Sequence, residues 1–294
     1  MAQLPFIKMH GCGNDYVFVD CFENPAPEDP ASLSFAVSDR HRGIGSDGLV
    51  LMLPPDIPGA TARMRMFNAD GSEASLCGNA LRCMAMWLHQ TGRCGKECTI
   101  VMADRLVEAQ IVKSDIGGRS AIVRITIGEP LRLNPSAAER RRFVLPMSLV
   151  DVALPTLVSP VLQVSMGNPH TVLFVDSLNT CEVHGLGCRI EHHAEFPNRT
   201  NVEFVEVTGR SSANVRVWER GSGETLACGS GACAVAVAGI VAGLFGAADS
   251  VTIHMPGGDL QVHWDEANQL HLEGPAQESF CGTLERFPER HLFV

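Results

Sequence analysis

Two cysteine–glycine steps, 151 residues apart in a chain of 294, place the strongest constraint on the fold. They are Cys77-Gly78-Asn79-Ala80 and Cys228-Gly229-Ser230-Gly231, and each lies between a turn-rich Gly/Ser/Glu segment and an apolar stretch. We therefore expect each cysteine to open a helix. Because a helix N-terminus carries positive potential and unpaired N–H groups, it favours the thiolate form of cysteine. One such cysteine would suggest a nucleophile, whereas two in equivalent positions suggest a pair of acid–base groups.

A second pair of matching segments indicates an internal repeat. Asn14, followed by Phe18-Val19-Asp20, recurs as Asn168, followed by Phe174-Val175-Asp176, at offsets of 154 and 156 residues. These offsets are close to the separation of the cysteines, and a repeat of half the chain is too long for a solenoid unit. We therefore expect two similar domains that face each other, with one cysteine in each.

Strand patterns dominate the chain, and few segments favour a helix. Polar and apolar residues alternate over 62–67 and 120–127, as in strands with one buried face. Helices are predicted from about Gly78 to Gln90, from about Gly229 to Leu244 and over Pro30–Ser38. The second of these helices is apolar on all sides and rich in Ala, Val and Gly, which indicates a core helix wrapped by strands.

Composition narrows the class of protein. A net charge of −10 argues against nucleic acid and anionic membranes as partners, since both require clustered Lys and Arg. The longest weakly polar run, 232–248, is short for a membrane span and poor in Leu, Ile and Phe. The eleven cysteines are an odd number and no signal-peptide pattern opens the chain, so we expect a cytoplasmic protein with reduced thiols.

A cysteine from each of two facing domains suits one chemical task, the transfer of a proton between opposite faces of a carbon atom. A thiolate on one face removes the α-proton of an amino acid, and a thiol on the other face returns a proton. Each sulfur must then lie roughly 3–3.5 Å from the carbon. The helix N-termini can direct N–H groups to the α-carboxylate and stabilise the charge that develops in the transition state.

Several segments in both halves carry a resemblance to a known family. They are Lys8–Asp15, Arg42–Gly48, Phe67–Glu73, Cys77–Ala80, Arg82-Cys83, Met166–His170, Asn201–Phe204, Glu219–Gly221, Gly223–Thr225, Ala227–Gly231 and Glu273–Ala276. With these segments in this order, the chain resembles the diaminopimelate epimerases. That family consists of cofactor-independent isomerases that supply lysine and peptidoglycan precursors.

The resemblance implies an α+β fold of two pseudo-symmetric lobes, each a β-roll or barrel-like sheet around a central helix. We expect one lobe to comprise residues 1–128 and 275–294, with Cys77, and the other residues 129–274, with Cys228. The implied reaction is the epimerisation of L,L-2,6-diaminopimelate to the meso form, without pyridoxal phosphate or metal. Diaminopimelate is the small-molecule partner, and the assembly that relatives suggest is a homodimer.

The resemblance also implies roles for individual residues. Cys77 and Cys228 match the two catalytic bases, and His170 matches a histidine beside the site. Positions that match substrate-binding groups are Asn14, Asn68, Gly78, Asn79, Asn168, Asn201, Glu219, Arg220, Gly229 and Ser230. Two positions depart from the family pattern: Gly48 stands where some relatives have glutamine, and Cys12 stands where a small apolar residue is usual.

Other interpretations of the same residues are open. The two cysteines would be buried structural thiols if the repeat were ignored. A zinc site at Cys94, Cys98, Cys181 and Cys188 with nearby histidines has unsuitable spacing, and the glycine-rich runs lack the P-loop and Rossmann patterns. Within the fold, the rival is a racemase or epimerase of another amino acid, such as proline, hydroxyproline or histidine. From other classes, the rivals are a non-catalytic ligand-binding protein and a thiol redox protein.

Overall fold

The computed structural model describes residues 3–130, 155–246 and 250–285. Internal contacts divide the chain into two compact units. The first unit runs up to Ile125 and takes in the residues from Gly274 on, and the second unit is Thr126–Glu273. The α+β class predicted from the sequence is confirmed, since both units combine strands with helices.

The first unit consists of strands with two helices. Its strands are β1 (Leu4–Gly11), β2 (Asn14–Asp20), β3 (Gly48–Leu53), β4 (Ala62–Asn68), β5 (Glu73–Ala74), β6 (Glu97–Met102), β7 (Arg105–Ser114) and β8 (Ser120–Gly128), which continues into the second unit. Its helices are α1 (Pro30–Ser38) and α2 (Gly78–Gln90), both with the bounds predicted from the sequence. Gly92, which follows α2, has a φ of 73°, as expected of a glycine that ends a helix.

The second unit repeats this series of elements. Its strands are β9 (Leu162–Ser165), β10 (Pro169–Val175), β11 (Asn201–Gly209), β12 (Ser212–Glu219), β13 (Gly223–Thr225), β14 (Val251–Met255), β15 (Gly258–Trp264) and β16 (Leu270–Leu284). Its helices are α3 (Val183–Glu191) and α4 (Gly229–Val241). The last strand, β16, continues into the first unit, where it pairs with β1.

The strand pairings confirm the internal repeat. In the first unit β2 is parallel to β3 and β4 is parallel to β6, while β1–β2, β3–β4, β6–β7 and the short hairpin β4–β5 are antiparallel. In the second unit β10–β11 and β12–β14 are the parallel pairs, and β9–β10, β11–β12, β14–β15 and β12–β13 are antiparallel. Since β16 pairs with both β1 and β8, the sheet of the first unit closes on itself.

Each unit surrounds one helix with its sheet. All residues of α2 from Asn79 to Leu88 are buried, and so are those of α4 from Gly231 to Gly239. Each of the other two helices covers a further apolar cluster: α1 packs against β3 and β4, and α3 packs against β11 and β12. Strands β3 and β10 are buried on both faces, whereas β7 and β8 bury alternate residues and so have one buried face. Among the described residues, no helix has both the length and the apolar character needed to cross a membrane.

Two helices differ from the prediction. Helix α4 ends at Val241 rather than at Leu244, because Gly243 adopts a φ of 74° and the N–H of Leu244 bonds back to Gly239. Helix α3 has no counterpart in the sequence analysis. It contains two glycines, which lower helix propensity, and its stability comes from packing against β11 and β12.

The glycine at position 187 lets α3 approach β12 closely. A Cβ atom at this position would lie 2.5 Å from both Cβ and Cγ of Trp218, so an added methyl group has no room. We expect Gly187→Ala to lower the free energy of unfolding by about 1–3 kcal/mol, despite the better helix propensity of alanine. Urea denaturation followed by circular dichroism measures this change. Gly95→Ala is the matched control, because a Cβ atom there meets nothing within 4 Å; equal effects of both variants would refute the packing argument.

Candidate active site

Both cysteines lie at the positions predicted for them, at the N-caps of the two central helices. Cys77 precedes α2 and Cys228 precedes α4, and both have extended backbone angles, with φ of −145° and −130°. Their carbonyl groups accept the first helical hydrogen bonds, from Leu81 at 3.0 Å and from Ala232 at 2.9 Å. Cys77 is partly exposed, whereas Cys228 is 5% exposed. The two thiols therefore share a backbone position and differ in their environment.

An arginine–glutamate pair clamps the hairpin in front of each cysteine. In the hairpin β4–β5, Nε and Nη2 of Arg65 donate to the two carboxylate oxygens of Glu73 at 2.8 and 2.9 Å. In the hairpin β12–β13, Arg216 and Glu224 make the same two bonds at 2.7 and 3.0 Å. Such bidentate pairs are geometrically specific. We call them the Arg–Glu forks, and they fix the short strands that lead into Cys77 and Cys228.

In the first unit, the predicted binding residues lie at one edge of the sheet. Strand β2 begins at Asn14, β3 begins at Gly48 and β4 ends at Asn68. Gly48 pairs with Asn68 on one side and with Tyr16 on the other, which brings the three strand ends together. The Asn68 amide donates to the hydroxyl of Ser72 at 2.9 Å, within the turn that leads to β5.

A charged network holds this edge. Asp15, next to Asn14, accepts hydrogen bonds from Arg40 and forms an ion pair with the buried Lys8, and Arg40 also bonds to Asp47 at 2.9 Å. Burial raises the pKa of Asp15, but the hydrogen bonds from Arg40 and Lys8 outweigh it and lower the pKa below its ordinary value. The backbones of Asp15 and Asp47 are also joined by an N–H···O bond of 2.7 Å. The starts of β2 and β3 are thus fixed to each other.

Asn79 is held by a buried cation. Arg82 is 0% exposed, and its Nη2 donates to Oδ1 of Asn79 at 2.7 Å, while its Nε donates to the carbonyl of Pro275 at 3.2 Å. Within the described part of the chain, Nη1 of Arg82 has no hydrogen-bond partner. The guanidinium group also lies 3.0 Å from the position that a Cβ atom on Gly11 would take, which accounts for glycine there. Arg82 therefore orients the second residue of α2.

In the second unit, hydrogen bonds join the predicted binding residues directly. The Asn168 amide donates to Oγ of Ser230 at 3.3 Å. Asn201 donates to the carbonyl of Pro169 at 2.8 Å and accepts from the backbone N–H of Arg220 at 2.9 Å. Glu219, which ends β12, accepts from the hydroxyl of Thr225. The structure therefore links Asn168 to Ser230 and Glu219 to Cys228 at the N-terminus of α4, and it links Asn201 to Arg220.

His170 belongs to a chain of hydrogen bonds that ends at Cys228. Its Nδ1 lies 2.6 Å from Oε1 of Glu203, and its Nε2 lies 3.0 Å from Oδ1 of Asn168. Asn168 continues to Ser230, whose hydroxyl lies 3.5 Å from the sulfur of Cys228. His170 and Glu203 are both 0% exposed, so this pair is held entirely inside the protein. The chain fixes the orientation of the histidine ring.

Burial and nearby carboxylates keep Cys228 protonated. Desolvation raises the pKa of the Cys228 thiol well above its ordinary value, and the negative charges of Glu219 and Glu203 raise it further. The N–H of Gly231 donates to the sulfur at 3.4 Å, which acts in the opposite direction but is outweighed. Burial also raises the pKa of Glu219. The helix N-terminus therefore does not by itself make Cys228 a thiolate.

The local backbone explains why position 48 is a glycine, although some relatives have glutamine there. A Cβ atom on Gly48 would lie 2.2 Å from the backbone oxygen of Phe67, so the close approach of β3 and β4 excludes a side chain there. Cys12, the other departure, is 1% exposed and has a φ of 52°, and its sulfur lies 3.8 Å from Nη2 of Arg82. It packs as a small buried residue in the β1–β2 turn.

Sequence reasoning missed several of these residues. It assigned no role to Arg82 or Glu203, although both lie in the segments that carry the resemblance. The forks had a signal that went unused, because Arg65 and Arg216 are 151 residues apart, as are Glu73 and Glu224. Of the histidines near Cys181 and Cys188 in the zinc alternative, His184 packs its ring edge-on against Trp218 with centroids 5.0 Å apart.

The first prediction concerns the Arg–Glu forks, and each fork serves as the control for the other. We expect Arg65→Gln to loosen the hairpin β4–β5 and Arg216→Gln to loosen β12–β13, because each removes both bonds of one clamp. Since these side chains are partly exposed, the loss is about 1 kcal/mol of local opening free energy, or about fivefold faster amide exchange. Hydrogen–deuterium exchange with mass spectrometry resolves the two hairpins. Loosening of both hairpins by either variant, or of neither, would contradict a local role.

A second prediction concerns the charge beside Cys228. We expect Glu219→Gln to lower the pKa of the Cys228 thiol, because it removes a negative charge that opposes the thiolate. The rate of iodoacetamide alkylation of Cys228, followed by peptide mass spectrometry across a pH series, should then rise at a lower pH. Glu266→Gln, at an exposed position, is the control and should leave the profile in place. An unchanged profile in Glu219→Gln would show that this carboxylate does not act on the sulfur.

Comparisons with known proteins agree with the geometry. The family model described as diaminopimelate epimerase matches residues 6–130 and 162–278. A diaminopimelate epimerase of Pelotomaculum thermopropionicum is 45% identical over 286 residues, covering 94% of this chain and 97% of that protein. One of Acetivibrio thermocellus is 41% identical over 282 residues, covering 95% and 98% of the two chains.

Solved structures share the fold at low sequence identity. A predicted epimerase of Pseudomonas aeruginosa superposes with a TM-score of 0.71 at 20% identity, covering 96% of this chain and 99% of that one. A hydroxyproline epimerase of Agrobacterium vitis has a TM-score of 0.66 at 15% identity, with coverages of 97% and 93%. The match of the family model over most of this chain, with relatives 41% and 45% identical over nearly its full length, shows that the chain belongs to the diaminopimelate epimerase family.

Proposed function

We propose that this protein is an isomerase that epimerises L,L-2,6-diaminopimelate to the meso form with two thiols as its acid and base. The observation that carries the proposal is the duplicated helix N-terminus with a cysteine at its cap, at Cys77 and Cys228. Inversion of a stereocentre requires a proton to leave from one face of the carbon and another to arrive at the opposite face. Two separate groups in opposite protonation states perform this task.

The surroundings of the thiols support a division of roles. Cys228, buried beside two carboxylates, is the protonated partner at neutral pH. This leaves the role of the thiolate to Cys77. In the direction from the L,L form, the Cys77 thiolate takes the α-proton and becomes a thiol, while the Cys228 thiol gives its proton to the carbanion and becomes a thiolate. The proton count is balanced, and the reverse reaction exchanges the roles. This step needs neither pyridoxal phosphate nor a metal.

The substrate contacts follow from the family resemblance and from the charges of the residues. Backbone N–H groups at Gly78-Asn79 and Gly229-Ser230 cradle the α-carboxylate at the helix N-termini. The amides of Asn14, Asn68, Asn168 and Asn201 hold the distal amino-acid end, and Glu219 and Arg220 pair with amine and carboxylate. His170 orients Asn168 beside them. The proposal includes a cytoplasmic location, which the odd number of cysteines supports, and a homodimer, which light scattering of the purified protein checks.

The test is proton exchange at C2 of diaminopimelate. Purified protein in D2O without added cofactor should replace the C2 proton of L,L-diaminopimelate with deuterium, as followed by proton NMR, and form the meso isomer. We expect Cys77→Ala and Cys228→Ala each to lower this rate by about 10²–10⁴-fold, since each removes one proton-transfer group. Cys188→Ala, at an exposed cysteine of α3, is the matched control and should retain full turnover.

Two outcomes would refute the assignment. Near-normal turnover of either cysteine variant would mean that the bases are elsewhere. Faster inversion of proline or another single-ended amino acid than of L,L-diaminopimelate would mean that the substrate is wrong. A protein that shows no exchange with any amino acid would favour a non-catalytic binding role.

A further inference from the structure

A buried hydroxyl group contacts the sulfur of Cys77. Tyr16 is the single tyrosine of the chain, and it lies on β2 with 3% of its surface exposed. The thiol of Cys77 donates to Oη of Tyr16 at 3.3 Å. The sequence analysis gave this tyrosine no role, because it falls just after the segment that ends at Asp15.

The internal repeat places Tyr16 at the position that His170 occupies in the second unit. Tyr16 pairs with the first residue of β3, and His170 pairs with the first residue of β11. Each also follows by two residues the asparagine of its own unit, Asn14 or Asn168. The same backbone position beside each cysteine therefore carries a polar side chain: a histidine linked to Cys228 through Asn168 and Ser230, and a phenol in direct contact with Cys77.

Packing fixes the direction of the phenol. Its ring meets Phe18 edge-on, with centroids 6.2 Å apart and planes at 86°. Strand β2 lies between β1 and β3, so the backbone of Tyr16 is held on both sides. A buried ring with neighbours on a paired strand has few rotamers available. The hydroxyl is thus held towards the sulfur.

A phenol can serve both protonation states of a thiol. When Cys77 is protonated, its S–H donates to Oη, as in the structure. When Cys77 loses its proton, the phenolic O–H rotates and donates to the thiolate, and a hydrogen bond to an anion is stronger than one between neutral groups. With an ordinary pKa near 10, the phenol keeps its proton at neutral pH. The net effect favours the thiolate and lowers the pKa of Cys77.

Two other groups in the N-terminal half of α2 are titratable or charged, Cys83 and Arg82. Burial raises the pKa of Cys83 on α2 to about 12, and the charge of Cys77 contributes to that increase, so Cys83 remains a thiol. Arg82, on the same helix, is a buried cation whose charge favours nearby thiolates, and Cys12 lies next to it. Tyr16 places a hydroxyl in direct contact with the sulfur of Cys77.

We propose that Tyr16 is a further catalytic residue, whose hydroxyl donates to the Cys77 thiolate, holds it in place and keeps it ionised. Its part in turnover rests on the proposed function, whereas its effect on the thiol does not. The proposal predicts that removing the hydroxyl weakens Cys77 as a resting base and leaves Cys228 unaffected.

The test begins with Tyr16→Phe, which removes one oxygen and keeps the ring. The rate of iodoacetamide alkylation of Cys77 is measured without substrate by peptide mass spectrometry across a pH series. The midpoint of this pH profile should lie about one pH unit higher than in the wild type. The Cys228 profile in the same samples should not move. With L,L-diaminopimelate, kcat should fall about tenfold at neutral pH, with little change in KM. Ser38→Ala is the control, because it removes a buried hydroxyl that bonds to Ser46 rather than to a thiol.

The single tyrosine permits a second test that keeps the fold intact. Protein produced with 3-fluorotyrosine carries the label at position 16 alone. Fluorine makes the phenol a stronger donor, so the alkylation midpoint of Cys77 should move down, opposite to the effect of Tyr16→Phe. The fluorine chemical shift should also change with pH as Cys77 ionises. In Cys77→Ala this change should be absent, and any change that remains belongs to ionisation of the phenol.

The outcomes separate the two proposals. If the wild-type protein does not exchange the C2 proton, the proposed function fails, and the alkylation profiles still decide the effect of Tyr16. If the wild type turns over and the Cys77 profile is the same with tyrosine, phenylalanine and fluorotyrosine, the inference about Tyr16 is wrong while the function stands. Opposite movements of the profile in the two altered proteins would support it.

Discussion

The rest of the structure depends on the enclosure of a helix N-terminus by a sheet. Helices α2 and α4 are buried along nearly their whole length, so the packing of the surrounding strands fixes the position of each helix. A cysteine at the cap of such a helix therefore has a fixed position. Its neighbours, Gly78-Asn79 and Gly229-Ser230, present backbone N–H groups whose partners lie outside the helix. The position that holds a thiol still is thus also suited to bind an anion.

The repeated backbone does not repeat the electrostatics. The structure places a phenol against Cys77, whereas two carboxylates, one of them bonded to a histidine, act on Cys228. A two-base inversion requires one group without its proton and the other with it at the same pH. Two identical environments would give two thiols of equal pKa. The side chains around the two cysteines differ on a backbone that stays the same, and burial with two carboxylates raises the pKa of Cys228.

The sequence predicted the parts of this arrangement that depend on local signals. The capping cysteines, the extent of α2 and the repeat follow from turn residues, apolar periodicity and spacing. Helix α3 was missed because glycines at 185 and 187 oppose a helix locally, and only the contact with Trp218 shows why one of them is needed. Arg82 and Glu203 were missed as functional residues because a charged residue in an apolar run has no visible partner until the fold brings one to it. Their partners, Asn79 and His170, were identified.

The repeat also shows which contacts belong to the frame and which to the chemistry. Through equivalent strand pairings, Gly48 corresponds to Asn201 and Asn68 corresponds to Glu219, and in both cases the side chain has changed. The Arg–Glu forks hold together the two strands of each hairpin in front of the cysteines. Both units have the same two residues and the same two bonds there. A contact that fixes the backbone serves both units in the same way, which explains why both units have the same fork. A contact that sets charge is useful only if the halves differ, and at Tyr16 and His170 they do.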